Sequence, residues 1–301
     1  MSGWRRSLPS LIMVLTSTLG WPQISSTGND SDEFSSVKEL RADDVLNEIK
    51  NQLTCSWADE TVDSYKSGDG STTVKGIATT FLATQAVLEQ AADLGLNMVI
   101  THEPTFYNHR DETTFFEGDP VYEVKRSFLE KHNMVLLRFH DHWHRTRPDG
   151  IHLGMVRRLG WKEYQVDPGE MVFKMPPQRL HDLTAALQKD FDANNMRVVG
   201  DPDARVSMVG MAVGAPGSKA QIRMLRRDDV QVLITGETPE WETVEYVRDA
   251  QAQGKRKYLI LMGHAHSEEA GMEYCAEWLQ TFIKDVPVQF IPAGNPLWTP
   301  N

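Results

Sequence analysis

Cysteine is scarce in this chain: Cys55 and Cys275 are the only two in 301 residues. Two thiols make no disulfide framework, and neither sits in a pattern that marks a nucleophile. Basic charge is also in deficit. The chain has 31 Lys and Arg against 42 Asp and Glu, a net charge of −11, which argues against nucleic acid or an anionic membrane as partner. Long apolar runs are lacking too. "LIMVLTSTLGW" (11–21) is too short to span a bilayer as a stable helix. No low-complexity tract follows it, and "GAPGS" (214–218) reads as a turn rather than a phosphate-cradling loop.

What is present fits one or two globular domains, with 40% hydrophobic and 24% charged residues. Residues 1–27 read as a signal peptide, because Trp4-Arg5-Arg6 precede the short apolar run. Arg5-Arg6 also allow a twin-arginine signal, although the residues after the pair match that pattern poorly. The expectation is an exported protein, periplasmic or secreted, and a cytoplasmic one if the leader does not function. Residues 28–41 read as a polar linker and 42–301 as the folded domain.

Hydrophobic spacing predicts helices over 42–53 and 85–95, the second stopped by Gly95. Further helices are expected at about 120–132, 176–191, 217–228, 240–254 and 268–283. Between them, apolar runs predict strands at 76–83, 96–101, 134–139, 206–214, 230–236 and 258–262. Cys275 falls on the apolar stripe of the last helix. Helices alternating with all-apolar strands mean an α/β fold, its strands largely parallel and covered on both faces.

Four of these strands end in polar residues. After 96–101 come His102-Glu103; after 134–139 comes "HDHWH" (140–144); after 230–235 come Gly236-Glu237; and after 258–262 come Gly263-His264 and "AHSEEAG". Ligand sites in open α/β sheets lie beyond the carboxyl ends of strands. Three of the segments hold six of the ten histidines. Taken singly each feature has a plainer explanation: Glu268 as a helix-start charge, Glu237 or Ser267 as a cap, "HDHWH" as a solvated loop. Together they point to one site, and imidazoles mixed with carboxylates suit zinc, iron, manganese or nickel rather than calcium or magnesium.

The stretches "LGLNMVITHEP", "FHDHWHRTRPDG", "VLITGE" and "MGHAHSEEAG", in that order, resemble the NIF-three-like family (Ngg-one-interacting factor three). Its members are often catalogued as homologues of a second type of GTP cyclohydrolase I. The resemblance covers about 42–298. It implies two similar α/β lobes, a metal site in the cleft between them that is usually binuclear, and a toroidal hexamer. It also implies metal-ligand roles for His102, His140, His264 and Glu268, and a less settled role for Glu237. Two positions depart from the family: Glu103 stands where the family has a second histidine, and His144 where it has an aspartate. The exchanges are opposite in kind, so the numbers of imidazoles and carboxylates are kept. A neutral imidazole offers one lone pair and cannot bridge two ions, so one ion or two stays open unless Glu103 or Glu268 bridges. A register with Asp141 as the missing carboxylate is the competing assignment.

The expected function is metal-dependent hydrolysis of a small, nucleotide-like molecule, with His102, Glu103, His140, His144, His264 and Glu268 as ligands and Glu237 as the base. The alternative is a non-catalytic metal-binding or interaction protein. The expected partners are a small-molecule substrate and further copies of the chain, with no nucleic acid and, after leader removal, no membrane.

Overall fold

The computed structural model describes residues 39–300. The expected signal peptide and the linker as far as residue 38 lie outside the described residues. The last three linker residues already belong to the fold. Leu40 packs on the core, and its carbonyl accepts from Val74 N at 2.8 Å.

The first half of the chain forms α1 (Ala42–Gln52), β1 (Tyr65–Ser67), β2 (Ile77–Thr80), α2 (Gln85–Asp93), β3 (Met98–Thr101), α3 (Pro120–Lys131), β4 (Val135–Arg138), α4 (Asp141–Arg145) and α5 (Gly150–Leu159). The second half forms β5 (Val172–Arg179), α6 (Leu180–Phe191), β6 (Arg197–Val199), β7 (Arg205–Ala212), α7 (Ser218–Leu225), β8 (Val232–Thr235), α8 (Glu245–Ala252), β9 (Tyr258–Leu261), α9 (His264–Gln280) and β10 (Val288–Phe290). No helix among the described residues is long and apolar enough to cross a membrane.

Two five-stranded sheets result. One has the order β1-β4-β3-β2-β10 and is parallel except for its edge strand β1. The other has the order β5-β7-β8-β9-β6, with three parallel central strands and an antiparallel strand at each edge. The α/β class expected from the alternation of elements is the one observed.

Alternation along each strand decides which face a side chain serves. Met98 and Ile100 of β3, Val232 and Ile234 of β8, and Ile260 of β9 enter one large core shared by the two sheets. Val99 faces a second cluster under α2 and α3, and Leu233 and Leu259 face a third. Both faces of both sheets are covered, which is why these strands read as continuous apolar runs.

Helices α5 and α9 meet inside the shared core. A Cβ on Gly271 would lie 2.5 Å from Ile151 Cα, so this crossing needs glycine for close backbone approach.

Three expectations shift. The helix predicted from residue 176 begins at Leu180, because β5 continues through Pro176 and Pro177. β5 is an edge strand whose pairing with β7 is irregular between Lys174 and Gln178, so the missing proline N–H groups leave no central ladder broken. The last helix starts at His264 instead of Glu268, its first turn closed by Ser267 N donating to Gly263 O at 3.1 Å. "HDHWH" forms most of α4, and α5, β5, β6 and β10 had not been anticipated. β10 is three residues long and pairs with β2 from the far end of the chain, a contact with no local signature.

Candidate metal centre

Strand ends from both sheets supply the site. β3 delivers His102 and Glu103, β4 delivers His140, β8 delivers Glu237, and β9 leads through Gly263 to His264 at the start of α9. His264 and Glu268 then share one helical face, four residues apart. The same spacing selects His140 and His144 from "HDHWH", where His144 N donates to His140 O.

The side chains converge on two carboxylates. His264 Nε2 lies 3.0 Å from Glu268 Oε2 and 3.4 Å from Glu103 Oε1. His102 Nε2 is 3.5 Å from Glu268 Oε2, His140 Nε2 is 3.7 Å from Glu103 Oε1, and His144 Nε2 is 3.8 Å from Glu268 Oε1. All six residues expected as ligands are thus brought together. Gly214 makes room for them: its φ is 65°, and a Cβ there would collide with the Glu268 carboxylate.

Each imidazole has its Nδ1 engaged elsewhere. Nδ1 of His102 faces Phe139 O at 3.3 Å, that of His140 faces Asp141 Oδ1 at 3.0 Å, and that of His144 faces Asp149 Oδ2 at 3.1 Å. His264 Nδ1 lies 3.4 Å from Glu237 Oε1. An acceptor at Nδ1 holds a ring proton there and turns Nε2 inward, where it can serve a cation once any proton it carries has left. His102 Nε2 is buried with no hydrogen-bond partner among the described residues, and a cation would satisfy it.

The donor set fits a metal. Ligand atoms of His102, His140 and His144 lie within 4.8 Å of one another, as do those of His102, Glu103 and Glu268. His102 can serve only one ion, since Nε2 has one lone pair. Glu268 offers Oε1 toward His144 and Oε2 toward His102 and His264.

Electrostatics keep the carboxylates ionised. Burial opposes charge on Glu103, but the hydrogen bond from His264 and the charges of His102, His264 and His140 hold it down at about 2. Glu268 is likewise held well below the usual carboxylate range by His102 and His264, against its burial. His264 is buried, yet the two carboxylates push it up to about 10. His140 falls to about 4 through burial and the charges of His102 and His144.

Asp141 faces away from the cluster. Its Oδ1 meets His140 Nδ1, and its Oδ2 accepts from Thr61 Oγ1 at 2.8 Å and Val62 N at 3.1 Å. The register with Asp141 as a ligand is therefore not the one the structure adopts. His142 is also committed elsewhere, to Asp63 Oδ2 at 2.6 Å and Ala58 N at 2.9 Å. Glu237 sits at the rim with a largely exposed side chain. Ser267 is buried inside α9, accepts from Gly214 N and donates to His264 O, which is a structural role. Burial drives the Cys275 thiol upward, leaving it inert.

Sequence reasoning missed three supporting residues. Asp63 is buried and accepts from the backbone N–H groups of His140, Asp141 and His142, fixing the start of α4. Arg138 is fully buried, donates to His102 O at 3.2 Å, and sets Nη2 3.6 Å from Glu103 Oε2. Asp149 orients His144 while capping α5, its Oδ1 accepting from His152 N at 3.0 Å. Only Asp149 carried a local signal, as an acidic residue just before a helix.

A cavity of about 900 Å³ reaches the cluster, and Glu103, His140, His144, Glu237, His264 and Glu268 line part of it.

Against known families, residues 40–296 match Duf34/NIF3 (NGG1p interacting factor 3). The chain belongs to the Duf34/NIF3 family. An Escherichia coli K12 relative named GTP cyclohydrolase 1 type 2 homolog is 26% identical over 237 residues, covering 76% of this chain and 88% of its own. A Clostridium acetobutylicum relative with the same name is 23% identical over 193 residues, or 60% of this chain and 68% of its own. Among solved structures, a Bacillus cereus protein related to NIF3 superposes with a TM-score of 0.68 at 13% identity, covering 87% of this chain and 98% of that one. Staphylococcus aureus protein SA1388 gives 0.68 at 15% identity, covering 86% and 99%. At such identities the structural likeness speaks for the Duf34/NIF3 fold alone.

Proposed function

We propose that this Duf34/NIF3 protein is a metal-dependent hydrolase acting on a small, nucleotide-like molecule. The observation that carries the reading is the convergence of four imidazole Nε2 atoms and two ionised carboxylates on the wall of an open cavity. An enclosed site would suit a purely structural metal; a cavity leaves space for a substrate.

His102, Glu103, His140, His144, His264 and Glu268 would hold one or two ions of zinc, iron, manganese or nickel. Such an ion supplies Lewis acidity and a hydroxide equivalent near neutral pH. The chain's own part is positional. Acceptors at Nδ1 orient the rings, the ionised carboxylates match the cation's charge, and Glu237 at the rim accepts a proton from the attacking water. Glu268, with Oε1 toward His144 and Oε2 toward His102 and His264, would hold an ion together with these imidazoles.

The test is purification without added metal, elemental analysis, and a hydrolysis screen over nucleotide and ester substrates before and after chelation. Near-stoichiometric transition metal with chelator-sensitive turnover is the expected result. Less than about a tenth of an equivalent, with no uptake on titration, would overturn the reading.

A further inference from the structure

The inward face of α3 carries Tyr122, Lys125 and Leu129. Helical spacing asks for an apolar residue at the middle position, and the chain places an ammonium there. Lys125 is 5% exposed. Its Nζ donates to Thr105 O at 2.7 Å and lies 5.9 Å and 5.4 Å from the ring centroids of Phe106 and Tyr107. It makes no ion pair among the described residues, and Asp111 acts on it only at longer range. A buried cation without a counter-ion is costly. One carbonyl and two rings compensate in part and leave two of its three N–H groups unused.

Two neighbouring observations point the same way. Thr105 is 1% exposed, and its hydroxyl has no hydrogen-bond partner among the described residues. Tyr107 holds a φ of 60°, a left-handed conformation that a bulky side chain rarely adopts, and its ring is half exposed. Thr105, Tyr107 and Lys125 all line the cavity that reaches the histidine cluster. Lys125 is the only Lys or Arg among the described residues of that lining.

We propose that Lys125, with the Thr105 hydroxyl, forms a subsite for the acidic group, a carboxylate or a phosphate, of the small molecule bound in this cavity. The assignment of that molecule as a substrate rests on the hydrolase reading above; the anion site itself does not. An oxyanion would take the two free N–H groups in charge-assisted hydrogen bonds and supply the missing counter-charge. Thr105 lies two residues after Glu103, so one short turn joins the subsite to the cluster. Burial draws the ammonium down to about 8, which leaves it largely charged at neutral pH.

The experiment uses the full-length protein as purified, with its metal content measured separately. Inorganic phosphate and malonate are titrated by calorimetry, and Lys125 acetylation by acetic anhydride is followed by peptide mass spectrometry. At least one anion should bind and slow acetylation of Lys125 several-fold. Which of the two does so identifies the acidic group. Lys125→Met should weaken that anion tenfold or more with unchanged metal content, Lys125→Arg should retain part of the affinity, and Thr105→Val should weaken it less. Loss of metal from the wild-type protein with anion protection intact would sink the hydrolase reading and leave the subsite standing. Equal acetylation rates with and without both anions, or anion binding that Lys125→Met leaves unchanged, would overturn the subsite.

Discussion

At the scale of single residues, Asp149 decides how His144 is held. Its carboxylate stands behind the imidazole, 3.1 Å from Nδ1, and turns Nε2 toward the cluster. Asp149→Asn separates the two jobs of this residue. Asparagine caps helices as well as aspartate does, so α5 and the melting temperature should change little. Its amide can, however, turn an N–H toward His144 Nδ1, which moves the ring proton to Nε2. Metal affinity measured by chelator competition should fall about 10–100-fold, the usual scale for losing a residue that orients a metal-binding imidazole. A loss below twofold would mean that Asp149 only caps the helix.

Lys125 gives a pH prediction with a definite sign. Its folded value of about 8 lies below its unfolded value of 10.5. Between those values the unfolded chain binds more protons, so this group makes stability rise with pH across that window. Below about pH 8 its full cost is present. Denaturant titrations of Lys125→Met should be more stable than wild type at pH 7. The difference should shrink by up to about 1.4 kcal/mol per pH unit from pH 8 upward. A difference independent of pH would show that the buried amine is not the source.

At the scale of elements, α9 joins packing to chemistry. Its first turn holds His264 and Glu268, and its middle crosses α5 at Gly271 and Ile151. Trp143 of α4 is buried and donates Nε1–H to Gly271 O at 3.2 Å, so the tryptophan of "HDHWH" anchors the helix bearing His144 to the helix bearing Glu268. Gly271→Ala puts a methyl group against backbone, which cannot yield without moving a helix. Destabilisation of about 1–3 kcal/mol is expected from urea midpoints, with m unchanged. A neutral outcome would mean that the helices separate freely at this crossing.

At the scale of the whole molecule, the metal should behave as a folding ligand, because its donors come from both sheets and from both halves of the chain. An ion in hundredfold excess over its Kd stabilises by about 2.7 kcal/mol if it binds only the folded state. Chelation should therefore lower the melting temperature reversibly, with recovery on adding zinc, iron, manganese or nickel. An unchanged melting curve would argue that the cluster holds no ion. For the leader and the assembly we propose export and a homo-oligomer, a hexamer by family likeness. N-terminal sequencing of the protein from its native host should find residues before about position 20 missing, and light scattering should give the mass of an assembly. An intact Met1 together with a monomeric mass would end both proposals.

The sequence by itself determined the α/β class, the main strands and the strand ends at which histidines and glutamates gather. These signals are local: apolar runs of strand length, helical spacing, and polar residues where a run stops. It could not choose between Asp141 and His144, because that choice depends on α4 being helical and on Thr61 and Val62 standing ready to donate to Asp141. Nor could it reveal Asp63, which acts on His140 from 77 residues away in the chain. β10 is equally invisible locally, since three residues become a strand only when β2 offers them an edge. The role of Lys125 was hidden for the same reason. Its place on α3 was readable, but whether an ammonium at that position meets a carboxylate, a carbonyl or a cavity is decided only when the chain packs.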